Sequence, residues 1–208
     1  MSDRDAAKAF EALIKGRRSI RRYGPEPVES DVLQSILEAA TWAPSAHNRQ
    51  PWRFVVLTEA AQKQMLARRM GDLLRAARLA DGDDSADVEA DATRSYNRIA
   101  GSAAAIVAFL TLEDMDTYPD ERRSHAEELM AVQGVAMAVQ NILLSVHTHG
   151  LGACWMCAPL FCQEEVGAAL GVPEHWRAQA LITLGTPASK GKPPNRRPVS
   201  DVVFGSGE

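Results

Sequence analysis

Long hydrophobic runs are scarce in this sequence. The longest, Ile99 to Leu110, is well short of the ~20 residues needed to span a bilayer. Ser2 to Arg22 is charged and carries no apolar stretch, so no secretory signal is visible. The chain is therefore expected to be soluble and cytoplasmic. Cysteine is sparse as well: Cys154, Cys157 and Cys162 crowd into nine positions. An odd number without a signal argues against structural disulfides. Cys154-x-x-Cys157 lacks the second cysteine pair a zinc site needs, and His147 and His149 precede it without a finger-like gap. It also lies in an apolar, strand-like run rather than at a helix start, where a redox dithiol belongs. Buried, inert thiols are the expectation.

Several chemical signatures are missing too. No Gly-x-Gly-x-x-Gly follows a strand, and there is no P-loop, nucleophile elbow or zinc-protease motif. Asp81 to Asp91 is acidic enough to test for calcium, but an EF-hand loop from Asp81 wants Gly at its sixth position and Glu at its twelfth; the sequence has Ala86 and Ala92. It reads as a solvated break, and no metal is expected.

What is present is ordinary globular material, 46% hydrophobic and 24% charged over 208 residues, enough for a single domain spanning 1–208. The net charge of −4 hides an asymmetry. Residues 1–25 hold seven basic and three acidic side chains, and residues 189–208 hold four and two. The remaining 12 basic and 22 acidic residues give the middle a net −10. Two basic ends flank an acidic middle, and the negative total argues against nucleic acid.

Periodicity predicts helices over Asp3–Gly16, Ser30–Trp42, Glu59–Leu79 and Gln163–Leu170. Another is predicted to run to His149 from a capping box at Ser124-His125-Ala126-Glu127, apolar on most of its circumference. Strands are predicted at Arg53–Thr58, Ala103–Leu110, Ala153–Phe161 and Ala180–Leu184. Helices and strands alternate without repeats, which reads as α+β, a small mixed or antiparallel sheet flanked by helices.

Three segments concentrate polar chemistry. Arg17-Arg18-Ser19-Ile20-Arg21-Arg22 packs four guanidinium groups into six residues, costly unless an anion neutralises them, and arginine's planar fork suits phosphate. Ala43 to Trp52 holds Ser45, His47, Asn48 and Gln50 between two prolines, donors and acceptors suited to a flat heterocycle or polyol. Lys190 to Pro198 is a basic tail pinned by prolines, after which Val199 to Phe204 resumes an apolar pattern, as though the tail re-docks.

These residues resemble the nitroreductase family of FMN enzymes. Arg17-Arg18-Ser19-Ile20-Arg21 is similar to its Arg-x-Ser-x-Arg/Lys element, which holds the flavin phosphate and ribityl chain. Pro44-Ser45-Ala46-His47-Asn48-Arg49-Gln50-Pro51-Trp52 is similar to its Pro-Ser-x-x-Asn-x-Gln-Pro-Trp loop. Arg196-Arg197-Pro198 is similar to the carboxy-terminal arginine that closes on the phosphate, before a final strand. Order and spacing agree over almost the whole chain. Gly150-Leu151-Gly152-Ala153-Cys154-Trp155, with Ala138-Val139-Gln140-Asn141, most resembles the branch containing the FMN domain fused to the γ-glutamyl ligase of the deazaflavin coenzyme.

The resemblance implies an intertwined homodimer with FMN at the subunit interface. Ser45, Asn48 and Gln50, with Pro44 and Ala46, would come from one subunit, and Arg17, Arg18, Ser19, Arg21, Arg196 and Arg197 from the other. The apolar helix would form the dimer core. Known members place Glu-Gly near flavin N5; this chain has Ala158-Pro159-Leu160, and Pro159 has no N–H to donate. Met156 and Cys157, close by, are the flavin-side candidates. The implied activity is hydride transfer from NADH or NADPH, a transient donor, through flavin N5 to a small-molecule acceptor: a nitroaromatic, a quinone or an unsaturated dehydro-deazaflavin. No side chain is nominated as acid or base. The alternative is a non-catalytic protein that binds or stores flavin or deazaflavin.

Overall fold

The sheet forms where the sequence turns continuously apolar. In the computed structural model, which describes residues 2–205, Trp52–Leu57 (β1), Ala104–Leu110 (β2), Gly152–Met156 (β3) and Arg177–Gly185 (β4) pair in the order β1-β2-β4-β3. All three pairings are antiparallel. Six helices surround the sheet: Asp3–Gly16 (α1), Ser30–Thr41 (α2), Ala60–Ala80 (α3), Ser85–Ala100 (α4), Glu121–Thr148 (α5) and Gln163–Leu170 (α6).

Both faces are covered, which is why β2 reads Ala-Ala-Ile-Val-Ala-Phe-Leu without a polar residue. Ala104, Ile106, Ala108 and Leu110 point to the α5 and α2 side, with Val135, Val139, Ile142 and Val146 of α5. Ala105, Val107 and Phe109 point to the α3 and α6 side, against Leu66, Met70 and Val166. Opposite Ala108 and Phe109 the pairing jumps from Ala180 to Ala178. The bulge at Gln179 turns Ala178 to the opposite face from Ala180. By composition and length α5 passes for a membrane span, yet its apolar face is one side of this core.

Four expectations are corrected. The acidic break is confined to the turn at 81–84, because the Asp84 carboxylate accepts from the Ala86 and Asp87 amides and caps a new helix, α4. The long helix begins at Glu121, not at a Ser124 box: Asp120 is its cap, accepting from the Arg123 amide at 3.0 Å. Ser124 lies inside that helix and donates to the Tyr118 carbonyl. The strand expected over Ala153–Phe161 stops at Met156, because Pro159 cannot extend a ladder and Ala158–Phe161 coils into a 3₁₀ turn. Finally, no strand closes the chain among the described residues: Val199–Asp201 is a 3₁₀ turn, and Val199, Val202 and Phe204 are exposed rather than re-docked.

Candidate functional site

The arginine segment is fastened to the sheet edge. After α1 the backbone turns extended, and the Ile20 amide donates to the Ala153 carbonyl of β3 at 2.9 Å. Gly24 donates to the Thr186 carbonyl, and Ala188 donates back to Arg22. The segment therefore bridges the β3 edge and the exit of β4. Ile20 is buried against Gly152, where a β-carbon would come within 2.6 Å of the Ile20 Cβ. Only glycine allows that approach. The Tyr23 hydroxyl pins the far end, 2.6 Å from the Ile20 carbonyl and 2.8 Å from the Thr183 hydroxyl.

On that edge Arg17, Arg21 and Arg98, the last from the final turn of α4, surround Cys154. Burial pushes the Cys154 thiol up, against the opposing pull of Arg21, Arg98 and Arg17. Burial also lowers the Arg98 guanidinium, and the neighbouring charge of Arg21 adds to it. Among the described residues no carboxylate lies within ion-pair distance of these three arginines. A cleft of about 650 Å³ opens beside Arg21 and Arg98, lined also by Arg22, Tyr23, Arg94 and Asn97. A concentration of unpaired positive charge at a cleft is an anion site by simple electrostatics. Arg98 and Asn97 are members that sequence reasoning missed. A basic residue in a helix's last turn is the ordinary complement to the helix dipole, so it carries no separate signal.

The second segment is a strained loop. His47, Asn48 and Gln50 all have positive φ, at 48°, 55° and 51°, a conformation that costs non-glycine residues roughly 1–3 kcal/mol each. Bracing holds it. The Gln50 amide donates to the Ser45 hydroxyl at 3.0 Å, Arg49 pairs with Asp116 at 2.6 Å, and the Thr111 amide donates to the Pro51 carbonyl. Asn48 and Gln50 are exposed, as are His47 and Pro44, while Ser45 and Ala46 are half-buried.

The other expected residues are dispersed. Cys154 and Met156 share a face of β3, and Met156 packs into the α3 and α6 core. Cys157 is exposed, contrary to the expectation of three buried thiols, because β3 ends at Met156 and the turn carries Cys157 outward. Pro159 is buried in that turn. In the tail, Gly191 has a φ of +69° and lies against Arg18, where a β-carbon would meet the Arg18 Cβ at 2.8 Å. Arg196 and Arg197 are exposed, and Arg196 donates to the Asn195 carbonyl. The two basic ends thus meet through Arg18 and residues 190–191, not through Arg196 and Arg197.

The strained loop packs against the middle of α5, and the arginine segment lies at its carboxy-terminal end. Gly134 faces Ser45 and Pro51, whereas Leu143 and His147 line a cleft of about 200 Å³ with Arg17 and Arg18. At 1.5 Å of rise per residue, Gly134 and His147 are about 20 Å apart. One protomer by itself does not bring the two segments together.

Comparison with known proteins identifies the family. Residues 14–186 match the family model described as "Nitroreductase family". A protein named NADH dehydrogenase from Thermus thermophilus is 31% identical, over 90% of this chain and 91% of its own. A 5,6-dimethylbenzimidazole synthase from Rhodospirillum rubrum is 27% identical, over 86% of this chain and 82% of its own. Among solved structures, a Desulfovibrio desulfuricans protein described as a nitroreductase in complex with FMN superposes with a TM-score of 0.74. It is 30% identical, over 95% of this chain and 96% of that one.

Proposed function

The chain belongs to the nitroreductase family of flavoprotein oxidoreductases, and on that premise we propose that it binds FMN and passes a hydride from NADH or NADPH to an oxidised organic acceptor. The observation that carries this is the trio Arg17, Arg21 and Arg98, unpaired among the described residues, the first two on a segment fastened by the sheet edge and Tyr23 and the third in the last turn of α4. Such a cluster fits an anionic, phosphate-bearing ligand. Arg17, Arg18, Ser19 and Arg21 would hold the phosphate and ribityl chain, and Arg21 with Arg98 would stabilise negative charge on the reduced ring. Bound FMN supplies reversible hydride chemistry at its N5. Ser45, Asn48 and Gln50 would bind and orient the ring with their amides and hydroxyl, Met156 and Cys157 would border it, and no side chain need act as acid or base.

The site is completed in a homodimer on this reading. Two observations support it: the 20 Å between the two segments, estimated from the helical rise, and an uncovered apolar surface. Helix α1 buries none of its own residues, and Phe10, Trp42, Leu129 and Met137 are exposed. A second copy placed antiparallel along α5 would cover that surface and set the Asn48 loop of one subunit beside the arginines of the other. The exposed tail with Arg196, Arg197 and Phe204 is then free to reach the partner. The Gly150 to Trp155 segment supports kinship with the ligase-fused deazaflavin branch, and a nitroaromatic, a quinone and an unsaturated deazaflavin are the acceptors to screen.

The test is a visible spectrum of the purified protein before and after FMN, followed by anaerobic NADH or NADPH. The reading expects flavin bands that bleach. Absence of flavin bands after FMN addition overturns it, and bands that do not bleach indicate a non-catalytic flavin binder.

A further inference from the structure

Helices α3 and α4 form a hairpin, and two kinds of contact hold it. Near the tip, charged side chains pair: Arg75 grips Glu89 through two nitrogens, at 2.7 and 2.9 Å, and Arg78 bridges Asp83 and Asp91. At the open end the contact is buried. Lys63, in the first turn of α3 and only 4% exposed, donates from its ammonium to the Ser102 carbonyl at 2.6 Å and to the Ala103 carbonyl at 2.8 Å. Among the described residues no carboxylate lies within ion-pair distance of Lys63. Burial lowers the ammonium from its ordinary value, with the Glu59 charge opposing. A buried cation that meets only carbonyls is costlier than an apolar side chain of similar volume. What Lys63 contributes must therefore lie in the two carbonyls it holds.

Those carbonyls belong to the link between α4 and β2. Around it the Gly101 amide donates to the Asn97 carbonyl at 3.1 Å, the Ser102 hydroxyl to the Ile99 carbonyl at 2.7 Å, and the Ala103 amide to the Leu184 carbonyl of β4 at 3.0 Å. Ile99 and Ser102 are themselves buried. Asn97 and Arg98, in the turn just before the link, line the basic cleft, whereas Lys63 does not. Arg98 has no carboxylate to hold its guanidinium, so the backbone that carries it decides where its charge lies.

We propose that Lys63 is a positioning residue of the flavin cleft: by holding the Ser102 and Ala103 carbonyls from α3, it fixes the last turn of α4 and so the placement of the Arg98 charge. The assignment rests on the FMN reading above, in which Arg98 stabilises negative charge on the reduced ring. Lys63 acts through Arg98 and touches neither flavin nor substrate. A methionine there would fill the same space and leave both carbonyls without their donor, in a link that no other element of the hairpin grips.

Hydrogen exchange of the flavin-free protein reads the tether, and potentiometric titration of the FMN-loaded protein reads its consequence. In Lys63→Met the Ser102 and Ala103 amides are expected to exchange at least tenfold faster. The flavin potential is expected to fall by at least half of the shift that Arg98→Ala causes. In the double variant Lys63→Met should add little to Arg98→Ala, because the charge it places is gone. Lys63→Arg, which keeps a charged donor, should recover at least half of the lost potential. Lys63→Gln keeps one neutral donor and should shift both readouts in the same direction, which serves if the methionine variant fails to fold. Wild-type exchange in these variants, or faster exchange with a wild-type potential, overturns the proposal while leaving the FMN reading intact. Full addition of the two shifts in the double variant also overturns it, since Lys63 would then act through its own charge. Wild-type protein that takes up no FMN overturns the FMN reading, and the positioning role falls with it.

Discussion

Tyr23 and Thr183, 160 residues apart in sequence, meet hydroxyl to hydroxyl at 2.8 Å, and the same Tyr23 oxygen reaches the Thr183 carbonyl at 2.9 Å. Burial raises the Tyr23 phenol far above its ordinary value, so it stays protonated and can donate throughout the working pH range. This pair fastens the end of the arginine segment to β4. Tyr23→Phe leaves the Ile20 carbonyl and the Thr183 hydroxyl without that partner. The expected cost is about 1–2 kcal/mol of stability, as for a lost partly buried hydrogen bond, with FMN affinity several-fold weaker. Urea unfolding and a flavin titration of the same preparation check both, and unchanged FMN affinity would mean that the clamp does not position the arginines.

Gly152→Ala tests the closest backbone approach in the site. The new methyl would lie 2.6 Å from the Ile20 Cβ, so the arginine segment must lift off the β3 edge. Overpacking of this kind costs roughly 1–3 kcal/mol. Loss of FMN binding is expected to exceed the loss in stability, because the displaced residues are the ones proposed to hold FMN. A variant that binds FMN normally would show that the segment's position on β3 is immaterial.

Charge removal separates the arginines by role. Arg17→Ala and Arg21→Ala should weaken FMN at least tenfold, with a shallower dependence on salt. Arg98→Ala should instead lower the reduction potential of the bound flavin by withdrawing positive charge. Flavin titration at two ionic strengths and a potentiometric titration read these effects. Equal behaviour of Arg98→Ala and wild type in the potentiometric titration would remove Arg98 from the site.

Thiol labelling reports the exposure pattern. Cys157 is exposed, whereas burial pushes Cys162 up to about 11 and raises Cys154 as well. At pH 8 one thiol of three should react rapidly with iodoacetamide, and mass spectrometry should find it at Cys157. Rapid labelling of Cys154 would contradict its burial beneath the arginine cleft.

The α3–α4 hairpin should respond to acid. Hydrogen bonds from Arg75 and Thr93 hold the Glu89 carboxyl at about 2, below its ordinary 4.5. A carboxylate with a lowered folded value stabilises fully above 4.5, and its contribution disappears as pH falls from there toward 2. Wild type should therefore melt higher than Glu89→Gln at pH 6, by a small margin that salt reduces, and the difference should vanish near pH 2. A difference that persists at pH 2 would assign the effect to packing rather than charge.

Much of this protein was legible in its sequence because the determining physics is local. Apolar periodicity marked α1, α2, α3 and α6 nearly to the residue, and continuous apolar runs marked the cores of β2 and β4. The Arg17–Arg21 and Pro44–Trp52 segments stood out because they combine unusual residues at short spacing. Local signals misled where two caps or two conformations competed within a few residues. Asp120 displaced Ser124 as the cap of α5, Asp84 restarted a helix inside an acidic run, and Pro159 ended β3 early.

Tertiary structure alone decided the rest, because each remaining fact is a relation across space between residues unremarkable in their own surroundings. Arg98 is an ordinary helix-terminal cation until the fold sets it beside Arg21 over Cys154. Gly152 is a common strand-start glycine until Ile20 packs onto it. Half the length of α5 keeps the strained loop from the arginines of its own chain, and α4 brings Asp91 against an Arg78 that Asp83 also pairs. Sequence determined which chemistry the chain carries; packing determined which groups share a cleft and which are already spent on one another.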